Sequence, residues 1–217
     1  MQAVRWHGVK DIRVENIEEP KALKGKVKIK VEWCGICGSD LHEYAAGPIF
    51  IPKDSPHPLT QEKAPIVMGH EFSGQVVEVG EGVTKFKPGD RVVVEPVFAC
   101  GECTACRQGK YNLCEKMGFL GLAGGGGGFS EYVAADERMV HKIPDTLSFE
   151  QGALVEPSAV ALYAVRQSQF KVGDRAVVFG AGPIGLLVIE ALKASGASRI
   201  YAVELSAERR NKAEELG

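Results

Sequence analysis

The chain has 217 residues, 45% hydrophobic and 25% charged, enough apolar material for one large core or two small ones. Its 26 basic and 28 acidic side chains leave a formal charge of -2, so neither nucleic acid nor an anionic membrane surface is expected as a partner. Residues 1–7 carry no apolar signal-peptide core, and the apolar run 176–189 is too short and too broken by glycine and proline to span a bilayer, so a cytoplasmic protein is expected.

The first third reads as short strands. Residues 11–18 set Ile12, Val14 and Ile17 among polar neighbours. Residues 26–33 alternate strictly, with Val27, Ile29, Val31 and Trp33 on one face and Lys28, Lys30 and Glu32 on the other. Cys34-Gly-Ile-Cys37 follows, a spacing that alone suits a redox pair or half of a metal site, here without the βαβ context of a redox protein. Prolines at 48, 52, 56, 58 and 65 predict a long surface loop over residues 47–65, with His57 solvated inside it. Residues 72–79 and 91–95 are further strands, the second preceded by a Pro88-Gly89-Asp90 turn. Strands this short, separated by turns, predict a small barrel-like β domain.

Cys100, Cys103, Cys106 and Cys114 form a C-x2-C-x2-C-x7-C cluster, a spacing at which four soft ligands can converge on one tetrahedral Zn2+; two disulfides or inert buried thiols are the competing reading, disfavoured in a chain with no mark of secretion. Such a site has no open coordination position and holds structure only. Gly124–Gly128 offers a superficial G-x-G spacing, but no strand precedes it and no helix follows, so it reads as a turn or a close backbone approach.

Beyond Pro144 the pattern changes. Residues 148–167 are alanine-rich and helical in period, and a βαβ unit begins at Arg175. The strand 176–179 runs into Gly180-Ala-Gly182-Pro183-Ile184-Gly185, a helix follows, and Glu204 ends the next strand 19 positions after Gly185. In that context the glycines form a dinucleotide fingerprint: a tight turn, a close approach to the pyrophosphate, and close helix packing. Glu204 would hydrogen-bond the adenosine ribose and repel a 2'-phosphate, favouring NAD over NADP, and Arg209 is a further candidate contact. One βαβ and a following helix make only the first half of a doubly wound fold, so a truncated chain is expected, with roughly 100 or more residues beyond Gly217.

With Gly69-His70-Glu71-x2-Gly74-x5-Gly80-x2-Val83, these features stand in the order found in the zinc-containing medium-chain alcohol and polyol dehydrogenases, which the chain resembles over its whole length. Within that family W-C-G-I-C-G-S-D-L-H-E-Y (33–44), G-P-I-F-I-P (47–52) and G-A-L-V-E-P-S-A-V-A (152–161) look like its vicinal-diol branch. The resemblance implies a GroES-like β-barrel catalytic domain over residues 1–150, with a structural-zinc lobe at about 96–117. An incomplete Rossmann domain behind a linker helix follows over 151–217. It implies one structural and one catalytic zinc, NAD as hydride acceptor, and a homo-oligomer, dimer or tetramer. The small-molecule reaction would be oxidation of a secondary alcohol or vicinal diol, such as 2,3-butanediol to acetoin and back, with two alternatives: sorbitol- or threonine-type substrates, or, for these 217 residues alone, a zinc-binding module without turnover. Cys37 and His70 match the family's catalytic-zinc ligands. Every cysteine but Cys34 and Cys37 belongs to the lobe, and Glu156 takes the place of the polyol branch's carboxylate ligand, with Glu71 as the other candidate. Ser39 matches the first proton-relay residue, and His42 lies where a relay histidine often sits.

Overall fold

The computed structural model describes residues 1–216. The chain folds as two compact units, Met1–Leu154 and Val155–Gly217. In the first, β1 (Gln2–Gly8) pairs antiparallel with β2 (Asp11–Asn16) and with the short β4 (Ile66–Val67). A five-stranded antiparallel sheet runs in the order β10, β6, β5, β3, β9, built from Val140–Lys142, Arg91–Val94, Glu71–Val79, Lys26–Gly35 and Tyr132–Asp136. The two sheets are stitched together where Val4 N–H donates to Phe129 O (2.8 Å) and Val31 N–H to Glu131 O (3.0 Å), giving the barrel-like wrap expected of short strands. Val27, Ile29, Phe72, Val76, Val92 and Val133 fill its core, each 0–1% exposed. Burying a side chain of this size contributes about 1.5–3 kcal/mol.

The predicted alternation of β3 holds only for its first half. The register against β5 shifts between Val31 and Trp33, and Trp33 turns outward, 52% exposed. Beyond β3 lies a helix that apolar periodicity does not announce, α1 (Gly38–Ala46), whose buried residues are Asp40 and Glu43. The loop 47–65 is irregular as expected, but Ile51 within it is 3% exposed and packs with Trp6, Ile66, Met68 and Leu122. His57 is half-buried rather than solvated: its ring lies 3.3 Å from Met117 O and accepts from Leu59 N–H.

A small excursion from the barrel contains β7 (Val97–Phe98), α2 (Thr104–Arg107) and β8 (Gly118–Phe119). The glycine run that follows is a packing device. A Cβ on Gly128 would sit 2.6 Å from Cys34 Sγ and 2.8 Å from Phe72 Cδ1, and one on Gly127 would strike the carbonyls of Val67 and Met68. The unit closes with α3 (Phe149–Ala153), capped by Ser148 in a capping box with Gln151. Residues 148–167 are therefore not one helix, because Leu154 N–H turns back to Gln151 O (3.1 Å) before α4 (Val155–Gln167) starts.

In the second unit β11 (Arg175–Phe179) and β12 (Arg199–Val203) pair in parallel, Phe179 opposite Val203, joined by α5 (Pro183–Ala194) and followed by α6 (Ala207–Leu216). Val165, Val178, Ala181, Ile189, Leu192 and Ala213 form its core. Among the described residues no helix is long and apolar enough to cross a membrane.

Candidate functional site

The pairing of β3 with β5 sets up the site. Cys34 lies opposite Phe72 and Gly35 opposite Glu71, so the chain leaving β3 passes beside the chain entering β5. Two residues beyond β3, Cys37 is the N-cap of α1, and His70 immediately precedes β5. The ligand atoms of Cys37, His70 and Glu71 all lie within 4.8 Å of one another. His70 is 5% and Glu71 8% exposed, and a Cβ on Gly35 would come within 2.6 Å of Glu71 Oε2, so glycine is what lets that carboxylate approach. Sulfur, imidazole nitrogen and carboxylate oxygen at this separation are a donor set for a borderline-soft divalent cation.

Asp40, 4% exposed, stands behind this trio. One oxygen accepts Cys37 N–H (2.9 Å), and the other lies 3.7 Å from His70 Nδ1. Both that oxygen and His70 Nδ1 are buried without a hydrogen-bond partner, and at 3.7 Å they are close enough to interact electrostatically but too far apart for a hydrogen bond. Burial pushes the Asp40 carboxyl above its ordinary range against the opposing pull of His70, and burial likewise raises the Cys37 thiol. Ser39 Oγ lies 3.4 Å from His70 Nε2. His42 is exposed on the outer face of α1. Neither Asp40 nor Glu43 was singled out by sequence reasoning, although an i, i+3 acid after Cys37 is a capping signal.

Glu156 is half-buried in the first turn of α4, in the second unit. The four cysteines of the lobe do converge, their Sγ atoms all within 4.8 Å, and all six cysteines of the chain are free thiols. Backbone N–H groups point at these sulfurs: Cys100 to Cys114 Sγ (3.3 Å), Cys103 to Cys100 Sγ (3.4 Å) and Lys116 to Cys114 Sγ (3.3 Å). Backbone N–H groups, those of Cys106 and Glu115, also hold Cys103 down to about 6, whereas burial first and the neighbouring thiols next push Cys106 up to about 12. A divided set of thiols with main-chain donors facing them is suited to a metal that takes thiolates.

In the second unit Gly180 has φ +90°, Gly182 is the N-cap of α5 and Pro183 its first residue. A Cβ on Gly185 would strike Gly180 O, so helix and turn touch through backbone. Glu204 bridges the two strand ends: Oε2 accepts Ala181 N–H (2.9 Å) and Oε1 accepts Ser206 N–H (2.9 Å). The Ser206 and Ala181 N–H groups hold its carboxyl below the usual range. A cleft of about 700 Å3 opens here, lined by Gly182, Pro183, Arg209 and Lys212 among others.

The chain matches the family model described as alcohol dehydrogenase GroES-like domain over residues 23–145. It is 74% identical over 217 residues to the (R,R)-butanediol dehydrogenase of Bacillus subtilis strain 168, matching 100% of this chain and 62% of that protein. The crystal structure of 2R,3R-butanediol dehydrogenase from Bacillus subtilis superposes with a TM-score of 0.95 at 74% identity, again over 100% of this chain and 61% of the other. A sorbitol dehydrogenase of Bacillus subtilis strain 168 is 39% identical over 217 residues, 100% of this chain and 59% of its own length. The chain thus spans about 62% of the length of the first of these relatives.

Proposed function

The chain belongs to the alcohol dehydrogenase GroES-like domain family, and on that premise we propose that it carries the catalytic domain and the start of the NAD-binding domain of a zinc- and NAD-dependent vicinal-diol dehydrogenase interconverting 2,3-butanediol and acetoin. The observation that carries this reading is the trio of half-buried Cys37 with buried His70 and Glu71, in a chain 74% identical to a butanediol dehydrogenase.

Cys37, His70 and one of the two glutamates, Glu71 or Glu156, would hold the catalytic zinc, and Cys100, Cys103, Cys106 and Cys114 a structural one. Zinc in the first site supplies a Lewis acid that lowers the pKa of an alcohol, and NAD supplies the hydride acceptor. The remaining chemistry falls to side chains of this chain. Asp40, 3.7 Å from His70 Nδ1, would fix the tautomer and orientation of that ring once a metal binds. Ser39 Oγ, 3.4 Å from His70 Nε2, stands where a substrate hydroxyl would pass its proton. His42, exposed on the same helix, would release that proton to solvent. Glu204 and the N-terminus of α5 would receive the adenosine ribose and pyrophosphate, with Arg209 in the same cleft. To do so Glu204 would exchange its bond to Ala181 N–H for ribose hydroxyls.

The test is NADH formation by the complete gene product, zinc-loaded, on (R,R)-2,3-butanediol, meso-butanediol, sorbitol and threonine. Preference for the four-carbon vicinal diol is the expected result. Turnover confined to sorbitol or threonine would overturn the substrate and keep the reaction. Absence of turnover on all four with zinc bound would sink the dehydrogenase reading.

A further inference from the structure

Glu43 is fully buried, yet it carries a carboxylate and lies six residues past Cys37 on the same helix. Its oxygens take three successive main-chain donors from the loop after α1: Ile49 N–H (3.1 and 3.0 Å), Phe50 N–H, and Ile51 N–H (3.1 Å). Its own carbonyl accepts Trp6 Nε1–H (2.8 Å) and Gly47 N–H (3.1 Å). A Cβ on Gly47 would run into this carboxylate and within 2.6 Å of the Glu43 carbonyl, so the loop can wrap the acid only with glycine there. The loop so held is apolar and is linked to the metal-ligand trio through one ring. Ile51 is sunk in the Trp6 cluster, while the half-exposed Phe50 ring meets Phe119 edge-on at 6.4 Å, and Phe119 lies 6.5 Å from the His70 ring.

We infer that Glu43 is a positioning residue for substrate selection: its carboxylate clamps residues 49–51 so that Phe50 and Phe119 form an apolar wall beside His70, favouring a short diol with an apolar end over a polyol. The inference rests on the dehydrogenase reading above and names what selects its substrate. A chain bearing a hydroxyl on each carbon would lose water against such a wall without gaining a partner. A methyl-terminated diol loses nothing there.

Glu43→Gln tests the clamp, because an amide keeps the shape but offers N–H groups to a nest of N–H groups. In the zinc-loaded complete protein, the amides of Ile49, Phe50 and Ile51 are expected to exchange with deuterium at least about tenfold faster in this variant, with zinc content unchanged. Its KM for 2,3-butanediol rises and kcat changes little, so the kcat/KM preference for butanediol over sorbitol falls about tenfold. Phe50→Ala removes the wall from an exposed position without touching the clamp, and is expected to lose the same preference with normal amide protection. Unchanged protection in Glu43→Gln would overturn the clamp, and unchanged preference in Phe50→Ala would overturn the wall. Should the unmodified protein turn over no alcohol, the substrate assignment falls with the dehydrogenase reading, while the exchange of the three amides still decides the clamp.

Discussion

Replacing Asp40 by asparagine isolates what a single buried carboxylate does for the metal-ligand trio. On the proposed reading Asp40 serves two donors once a metal is bound: it accepts Cys37 N–H at 2.9 Å, and its other oxygen stands 3.7 Å from His70 Nδ1, a small shift away from a hydrogen bond. Asparagine has one acceptor oxygen, so whichever donor it keeps, its NH2 group faces the other. A buried donor left without an acceptor costs about 1–3 kcal/mol. At about 1.4 kcal/mol per decade that is a roughly 5- to 150-fold weaker hold on a cation ligated by Cys37 and His70. Loss of a partner behind a ligating histidine typically weakens a metal site by about 10- to 100-fold, which is the same range. The assay is equilibrium dialysis against buffered zinc, counting zinc per chain. The four-cysteine lobe lies apart in sequence and shares no residue with the trio, so the zinc it would hold on the proposed reading serves as an internal reference. The expected result is one zinc lost at a free-ion concentration at which the other stays. Two sites that hold zinc equally well in Asp40→Asn would refute the argument that this carboxylate supports His70.

Gly128→Ala pushes a methyl to 2.6 Å from Cys34 Sγ and 2.8 Å from Phe72 Cδ1, and should lower stability by about 1–3 kcal/mol in urea titration. Gly38→Ala, with nothing within 4 Å and a place in the first turn of α1, should be neutral or slightly stabilising. Cys103→Ser removes the lobe's most readily ionised thiol, held down to about 6, and should release the lobe's zinc and open residues 100–117 to protease while the trio keeps its own. If Glu204 excludes a 2'-phosphate as proposed, Glu204→Gln should bind NADP relatively more tightly than the unmodified protein in coenzyme titrations. The Ser206 and Ala181 N–H groups hold the Glu204 carboxyl below its usual range, so its stabilising contribution is full above that range and fades as pH falls through the lowered value. The difference in urea midpoint between this variant and the unmodified protein should therefore shrink as pH falls below the ordinary glutamate pKa of about 4.3.

What was legible in the sequence was whatever depends on spacing along the chain. The cysteine cluster, the glycine fingerprint with Glu204, and the strands around Val27, Ile29 and Phe72 all carry their geometry in local intervals, and the structure brings each set together. Trp33 was misplaced because strict alternation assumes an unbroken register, and a shift against β5 cannot be read from one strand alone. The break at Leu154 hid for a similar reason, since a helical period continues through a single turned peptide. The helix α1 stayed invisible because the usual signal is an apolar stripe, and the residues this helix buries are Asp40 and Glu43. His57 looked solvated because a proline-rich loop gives no hint that its histidine will meet Met117.

That inversion in α1 is the reason the site is built there. Cys37, Asp40 and Glu43 follow at i, i+3 and i+6, so one helical face presents the N-cap ligand, the partner of His70 and the clamp of the apolar loop in a row. Each acid is buried, and each is met by donors that its own fold supplies: Cys37 N–H for Asp40, the Ile49 to Ile51 amides for Glu43. An apolar face would have anchored the helix more cheaply but would have left its register free by a residue or so. A face of two acids, each demanding its own donors, fits in only one register. A slip of one residue would strand both carboxylates away from their donors and swing Cys37 and Ser39 off His70 together. On the proposed reading the helix would hold ligand, relay and substrate wall to one another, at the cost of hiding itself from any reading based on hydrophobic period.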